Sequence, residues 1–181
     1  MTDALMFLVG TLFKLYLMLV ILRFWLQTVR ADFYNPVSQF VVKATNPVLI
    51  PLRRVIPSIG KIDTASITLA LLLSAAYVAI IYVLTTGTVP LVEVLLTAVG
   101  TVVFQTLDLM FYLMILVALL SWFSQGRSPV EYLMRQMTEP LLSPIRKIIP
   151  TMGGIDLSIM VFIIGVQFLK ILLAGMLPTV I

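Results

Sequence analysis

"NPVLIPLRRVIPSIGKID" occupies residues 46–63, and "EPLLSPIRKIIPTMGGID" occupies 139–156. Taken from Thr45–Asp63 and Thr138–Asp156, the two stretches align without a gap at an offset of 93. Ten of the 19 positions are identical: Thr45, Pro47, Leu49, Pro51, Arg53, Ile56, Pro57, Gly60, Ile62 and Asp63. Ordinary residue usage would give about one match by chance. The chain therefore reads as an internal duplication, with prolines and adjacent basic residues set between long apolar segments. Trp25 and Trp122 stand at similar exits from the preceding segment, and the first unit is about four residues longer after its Trp.

Working outward, the apolar segments decide the class. The chain has 181 residues, of which 61% are hydrophobic and only 11% charged, with a mean hydropathy of +1.13. Soluble domains run nearer ~45–50% apolar and ~25% charged, and a soluble chain this short has too much surface for so few charges. The reading is an integral membrane protein. The start, "MTDALMFLVGTLFK", has Asp3 in place of a basic leader and no small-residue cleavage site, so it reads as a retained span.

The fold expected is an all-α membrane protein. Four transmembrane helices form two parallel span–loop–span repeats, each with short amphipathic interfacial helices in its loop. The first repeat is 1–87, with spans at about 4–29 and 65–84 and a loop at 30–63. The second is 88–181, with spans at about 104–123 and 157–177 and a loop at 124–156. Residues 90–103 then lie along the membrane surface or extend beyond it, because ~20 residues already cross ~30 Å of hydrocarbon.

Each loop has the same grammar. Asn35–Pro36 and Ser128–Pro129 fit an N-cap followed by proline at the first helical position. Val37, Phe40, Val41 and Ala44 follow helical spacing, as do Val130, Leu133, Met134 and Met137. Thr45 and Thr138 end these helices ahead of Pro47 and Pro140. A second short helix starts at Pro51 and Pro144, with Arg53 and Arg54, or Arg146 and Lys147, on its headgroup face. Pro57 and Pro150 stop it, Gly60 and Gly153 turn the chain, and Asp63 and Asp156 cap the next span.

Nine of the twelve Lys and Arg lie in these loops: Arg30, Lys43, Arg53, Arg54, Lys61, Arg127, Arg135, Arg146 and Lys147. The positive-inside rule places both loops in the cytoplasm and both termini outside.

The paired motif, with "SWFSQGRSP" before its second copy, resembles the YggT family of bacterial and chloroplast membrane proteins. Two units covering nearly the whole chain resemble the double-repeat members of Gram-negative bacteria. Asn46 stands where the family has Glu, and Lys61 where it has Gly. The resemblance implies a multi-pass protein of the bacterial inner membrane with periplasmic termini. It also implies a role in osmotic tolerance and ion homeostasis, in envelope or division processes, or in plastid cytochrome assembly and membrane organisation. It implies no shared catalytic activity.

Chemistry is narrowly bounded. There is no Cys and no His, which removes thiolate sites, the commonest metal ligand and the usual triad base. No Gly-rich phosphate motif, acidic metal cluster or nucleophile–base pair is present, so no enzyme, metal or cofactor is expected. The loop aromatics form no stacking platform for nucleic acid. Inside the spans, Asp108 and Lys170 share a depth of ~21 Å from the loop side and suit an ion pair, with Lys14 about one turn nearer. Such charges are costly in a bilayer and call for a partner or a watery path. Lys14, Gln105, Asp108, Gln167 and Lys170 are thus candidates for an ion path or for a clasp between helices. Arg23 reads as an anchor at the loop-side interface. Arg53, Arg54, Arg146 and Lys147 are candidates for binding anionic lipid or an acidic partner, or serve topology alone.

Two functions follow as expectations. One is a small transport or channel-like assembly, formed as a homo-oligomer and contributing to ion homeostasis or osmotic tolerance. The other is a non-catalytic scaffold or assembly factor that engages a membrane or cytoplasmic protein through its amphipathic loops.

Overall fold

The computed structural model describes residues 2–60, 62–123, 128–149 and 156–179. Lys61, Arg127, Pro150 and Gly153 fall outside the described residues, as does the side chain of Trp122. Among the described residues there are six helices and no strand. They are α1 (Thr2–Thr28), α2 (Pro36–Val55), α3 (Thr64–Thr86), α4 (Leu91–Phe123), α5 (Pro129–Arg146) and α6 (Leu157–Ala174). Four are long and apolar enough to span a bilayer: Met6–Thr28, Thr64–Thr86, Leu91–Ser121 and Leu157–Ala174. The protein is a multi-pass membrane protein, and each half runs span, amphipathic helix, span.

The core lies where α1, α3 and α4 meet, around Leu17, Val20, Ile21, Leu69, Ala70, Leu109 and Leu113. In a bilayer, lipid tails are as apolar as these side chains, so close packing and polar bonds hold spans together. Ser74 supplies one such bond, its hydroxyl donating to the Ala98 carbonyl at 3.0 Å. Helix α6 packs on α4 and α5 and leaves Ile164, Phe168 and Ile171 exposed, as suits a helix facing lipid.

Two expectations are corrected here. Residues 91–103 are part of α4, a continuous helix of 33 residues, so of the two placements expected for 90–103 the surface segment is excluded and extension beyond the membrane agrees with the helix length. At 1.5 Å per residue its apolar part, Leu91–Ser121, is ~46 Å long, so it extends beyond the hydrocarbon. Its upper turns are held by α3 and by the chain after α6, which crosses so close that a Cβ on Gly100 would overlap the Pro178 carbonyl.

The second correction concerns the loops. Each holds one amphipathic helix, with no break after Thr45 or Thr138 and no restart at Pro51 or Pro144. Prolines spaced four apart explain this. Pro47 and Pro51 leave the carbonyls of Lys43 and Pro47 without helical donors. Lys43, Pro47 and Pro51 all lie on the exposed face, where water can serve those carbonyls. Pro140 and Pro144 are likewise exposed. Thr45 and Thr138 sit on the buried side, their hydroxyls donating to the Val41 and Met134 carbonyls at 2.7 and 2.9 Å. Such back-bonds help a helix bend. The buried stripe of α2 is Ser38, Val41, Thr45 and Leu49, so it is rotated from the expected one, and Phe40 is 63% exposed. That stripe packs on α1 and α3, and α5 packs on α4 and α6.

The caps follow the sequence. Asn35 Oδ1 accepts from the Val37 N–H, Ser128 Oγ from the Val130 N–H, and Asp156 Oδ1 from the Ser158 N–H. Asp63 stands at the N-cap of α3 but makes no side-chain capping bond. Its carboxylate is used elsewhere. Gly60, at φ +60°, makes the turn after Pro57 that the left-handed region demands.

Candidate functional site

The chain turns from amphipathic helix to span through an elbow in each half. In the first, Arg53 Nη2 donates to Asp63 Oδ2 at 2.5 Å and to Gln27 Oε1 at 3.2 Å. Ser66 Oγ donates to the same Asp63 oxygen at 2.6 Å. In the second, Arg146 donates through Nη2 and Nε to Asp156 Oδ2 at 2.6 and 3.0 Å. Its Nη1 reaches Glu139 Oε2 at 2.6 Å. Arginine and aspartate are ten residues apart in both elbows, so each pair ties the end of an amphipathic helix to the start of the following span.

Electrostatics agree with the geometry. Burial pushes the Asp63 carboxyl up, yet the bonds from Arg53 and Ser66 outweigh it and hold the group below the usual carboxylate value. Asp156 is likewise lowered, because bonds from Arg146 and Ser158 outweigh its burial. Burial works against the Arg146 charge, and its bonds to Asp156 and Glu139 raise its pKa in spite of that.

The headgroup face expected for four basic residues is therefore divided. Arg53 and Arg146 turn inward to the aspartates, while Arg54 and Lys147 remain exposed. The pairing was readable in principle, since Arg53 and Asp63 both belong to the ten positions kept between the two copies. Two further groups escaped sequence reasoning. Glu131 is buried in α5 and paired with Arg135 at 2.7 Å. Arg23 is only 7% exposed, not an interfacial anchor, and lies against the ring of Phe33 at 5.0 Å.

The two halves are also joined to each other, away from the elbows. Trp25 Nε1 donates to the Met137 carbonyl at 3.0 Å, Asn35 Nδ2 to the Pro129 carbonyl at 2.7 Å, and the Asp32 N–H to Gln136 Oε1 at 3.0 Å. Each bond runs from the end of α1 or the α1–α2 connection to α5, so the second amphipathic helix is fixed against the first half.

Within the spans, Lys170 Nζ donates to Asp108 Oδ1. Lys14 does not join this pair. It lines a small cavity with Ser74, Tyr77 and Thr101. Gln105 is buried and Gln167 half-buried. A second cavity between spans, of about 210 Å³, is walled by Ile21, Phe24, Trp25, Ile67, Val102 and neighbours. Neither cavity has Asp108 or Lys170 in its wall. No group of His, Cys, Asp and Glu that could hold a metal occurs among the described residues.

The CCB3/YggT family model matches residues 2–84 and 96–177. The chain belongs to the CCB3/YggT family. Among relatives, it is 49% identical over 173 residues to an uncharacterised protein in the proC 3′ region of Vibrio alginolyticus, covering 94% of each chain. It is 43% identical over 163 residues to the uncharacterised protein YggT of Escherichia coli K12, covering 90% of this chain and 85% of that one. With the uncharacterised protein PA0392 of Pseudomonas aeruginosa it shares 42% over 161 residues, 87% and 82% of the two chains. No solved structure matches. The two family matches each contain one elbow with its Arg–Asp pair, so the Arg–Asp elbow is the part of this YggT-family chain that both halves supply.

Proposed function

We propose that this protein is a non-catalytic scaffold of the bacterial inner membrane, with its two elbows facing the cytoplasm. The observations that carry the reading are the pair of Arg–Asp latches and the three hydrogen bonds that tie the end of α1 and the α1–α2 connection to α5. A platform fixed in this way presents Arg54 and Lys147 at the headgroup level. Each exposed basic group is worth ~1 kcal/mol near an anionic surface. The partners are anionic lipid and an acidic segment of a membrane or cytoplasmic protein.

Transport, contributing to ion homeostasis or osmotic tolerance, is the second reading. It draws on Asp108 and Lys170, since ionisable residues in spans often mark ion pathways. Their bond to each other favours the clasp: each neutralises the other's charge, and neither lines the cavities between the spans.

Proteoliposomes decide between the two. The purified protein is expected to pass no more K⁺, Na⁺ or H⁺ than protein-free vesicles. Flux that disappears in Asp108→Asn would replace scaffolding with transport. Crosslinking from the elbows should capture the same partner in wild type and Asp108→Asn, and lose it in Arg54→Glu/Lys147→Glu.

A further inference from the structure

The two elbows differ in one respect that their shared fold does not require. Each has its Arg–Asp latch. The first also holds Arg23, while the second has Leu120 at the same distance before its Trp. The first connection, Val29–Asn35, is the longer one, and it carries Phe33, whose ring covers the Arg23 guanidinium. Leu120 simply packs against the core. Arg23 and its cover are thus additions to a latch that the second half forms without them.

Arg23 is also a buried cation with too few acceptors. It is 7% exposed, and its Nε and Nη1 are inaccessible to solvent and meet no hydrogen-bond acceptor of the protein. The Nε of Arg53 and the Oδ1 of Asp63 are unpartnered in the same way. Both Arg53 and Asp63 lie near enough for their charges to act on Arg23. Two arginines therefore share one aspartate, leaving an excess positive charge. The second elbow is the reverse, with Glu139 and Asp156 on one Arg146. An uncompensated buried charge costs several kcal/mol, and buried donors are nearly always satisfied.

From this we infer that the first elbow is a site for a phosphate-class oxyanion, held by the unpartnered Nε and Nη1 of Arg23 and the Nε of Arg53. Guanidinium N–H groups make short, charge-assisted hydrogen bonds to phosphate oxygens. Phe33 is 38% exposed and stands in a turn outside any helix, so it is the group that must swing aside for entry. The phosphate belongs either to a phospholipid headgroup or to a free phosphate. This inference does not depend on the scaffold reading, and it is distinct from the surface pair Arg54 and Lys147.

The test uses the full chain in a neutral, phosphate-free detergent. Its thermal midpoint is followed against inorganic phosphate and, separately, against short-chain phosphatidylglycerol, with chloride matching ionic strength. Wild type and the exposed-charge control Lys43→Gln should both be stabilised. Arg23→Gln should bind about tenfold more weakly or worse. Arg23→Leu, which copies the second elbow, should fold, match or exceed wild type without ligand, and lose the ligand-dependent shift. A response to phosphatidylglycerol alone assigns a lipid, and a response to both assigns the phosphate group itself. No shift in wild type with either probe, or an equal shift in Arg23→Leu, overturns the site.

Discussion

Asp63 takes donors from two elements, the guanidinium of Arg53 at the end of α2 and the hydroxyl of Ser66 in the first turn of α3. It is fully buried, whereas Asp156 is 22% exposed in its side chain. Removing one partner of a buried pair leaves the other uncompensated, at about 3 kcal/mol or more; a more exposed pair is worth ~1 kcal/mol. Asp63→Asn is therefore expected to lower the thermal midpoint more than Asp156→Asn does. The pH dependence follows from the same bonds. Both carboxyls have folded pKa values below the ordinary ~3.9. Their contribution is thus complete above the unfolded value and is lost as pH falls through the lower folded values. Hydrogen exchange at residues 56–60 should stay protected at pH 5 and rise only below ~pH 4. Loss of protection already at pH 5–6 would show that the latch is not what holds the turn.

At the scale of elements, the prolines matter for where they point, not for how many there are. Pro47→Ala restores a helical donor to the exposed Lys43 carbonyl, so it should leave helicity by circular dichroism almost unchanged. Two short helices joined at this point would gain helicity instead. Gly100→Ala tests the other close approach. A methyl group there meets the Pro178 carbonyl and should cost about 1–3 kcal/mol, with faster proteolysis after α6 as the local sign. These cases also mark what the sequence made legible. Four spans, the helical character of the two loop segments and the caps at Asn35 and Ser128 could be read because each depends on local pattern and spacing. The unbroken α2 could not, because a proline's cost depends on which side of the helix its orphaned carbonyl faces, and only packing decides that. Phe40 shows the same limit: helical spacing placed it in the apolar stripe, but the buried stripe runs through Ser38 and Thr45. The inward turn of Arg53 left its only trace in the positions kept between the two copies, since a basic residue beside a membrane otherwise looks the same whether it meets headgroups or an aspartate ten residues away.

For the whole molecule, the bond between Asp108 and Lys170 joins α4 to α6, the span with the fewest neighbours. Asp108→Leu and Lys170→Leu should each destabilise the fold by leaving a lone charge in the bilayer. The double variant should recover most of the loss, because apolar replacement of both partners is often neutral or better. A double variant as unstable as the sum of the singles would indicate that the two do not act as a pair. Orientation is also open to direct measurement, since the chain has no cysteine. A single cysteine at Arg54 or Lys147 should react with impermeant reagent only from the cytoplasmic side, and one at Thr86 only from the periplasmic side.

The bonds from Trp25, Asp32 and Asn35 to α5 have a consequence for the ribosome. Their acceptors, Met137, Gln136 and Pro129, are made roughly a hundred residues later. The first half can enter the bilayer as soon as it is translated, but the end of α1 and the connection to α2 must wait with these donors unmet until the second amphipathic helix emerges. Assembly therefore has an order imposed by synthesis: insertion span by span, then a single late closure that seals both halves at once.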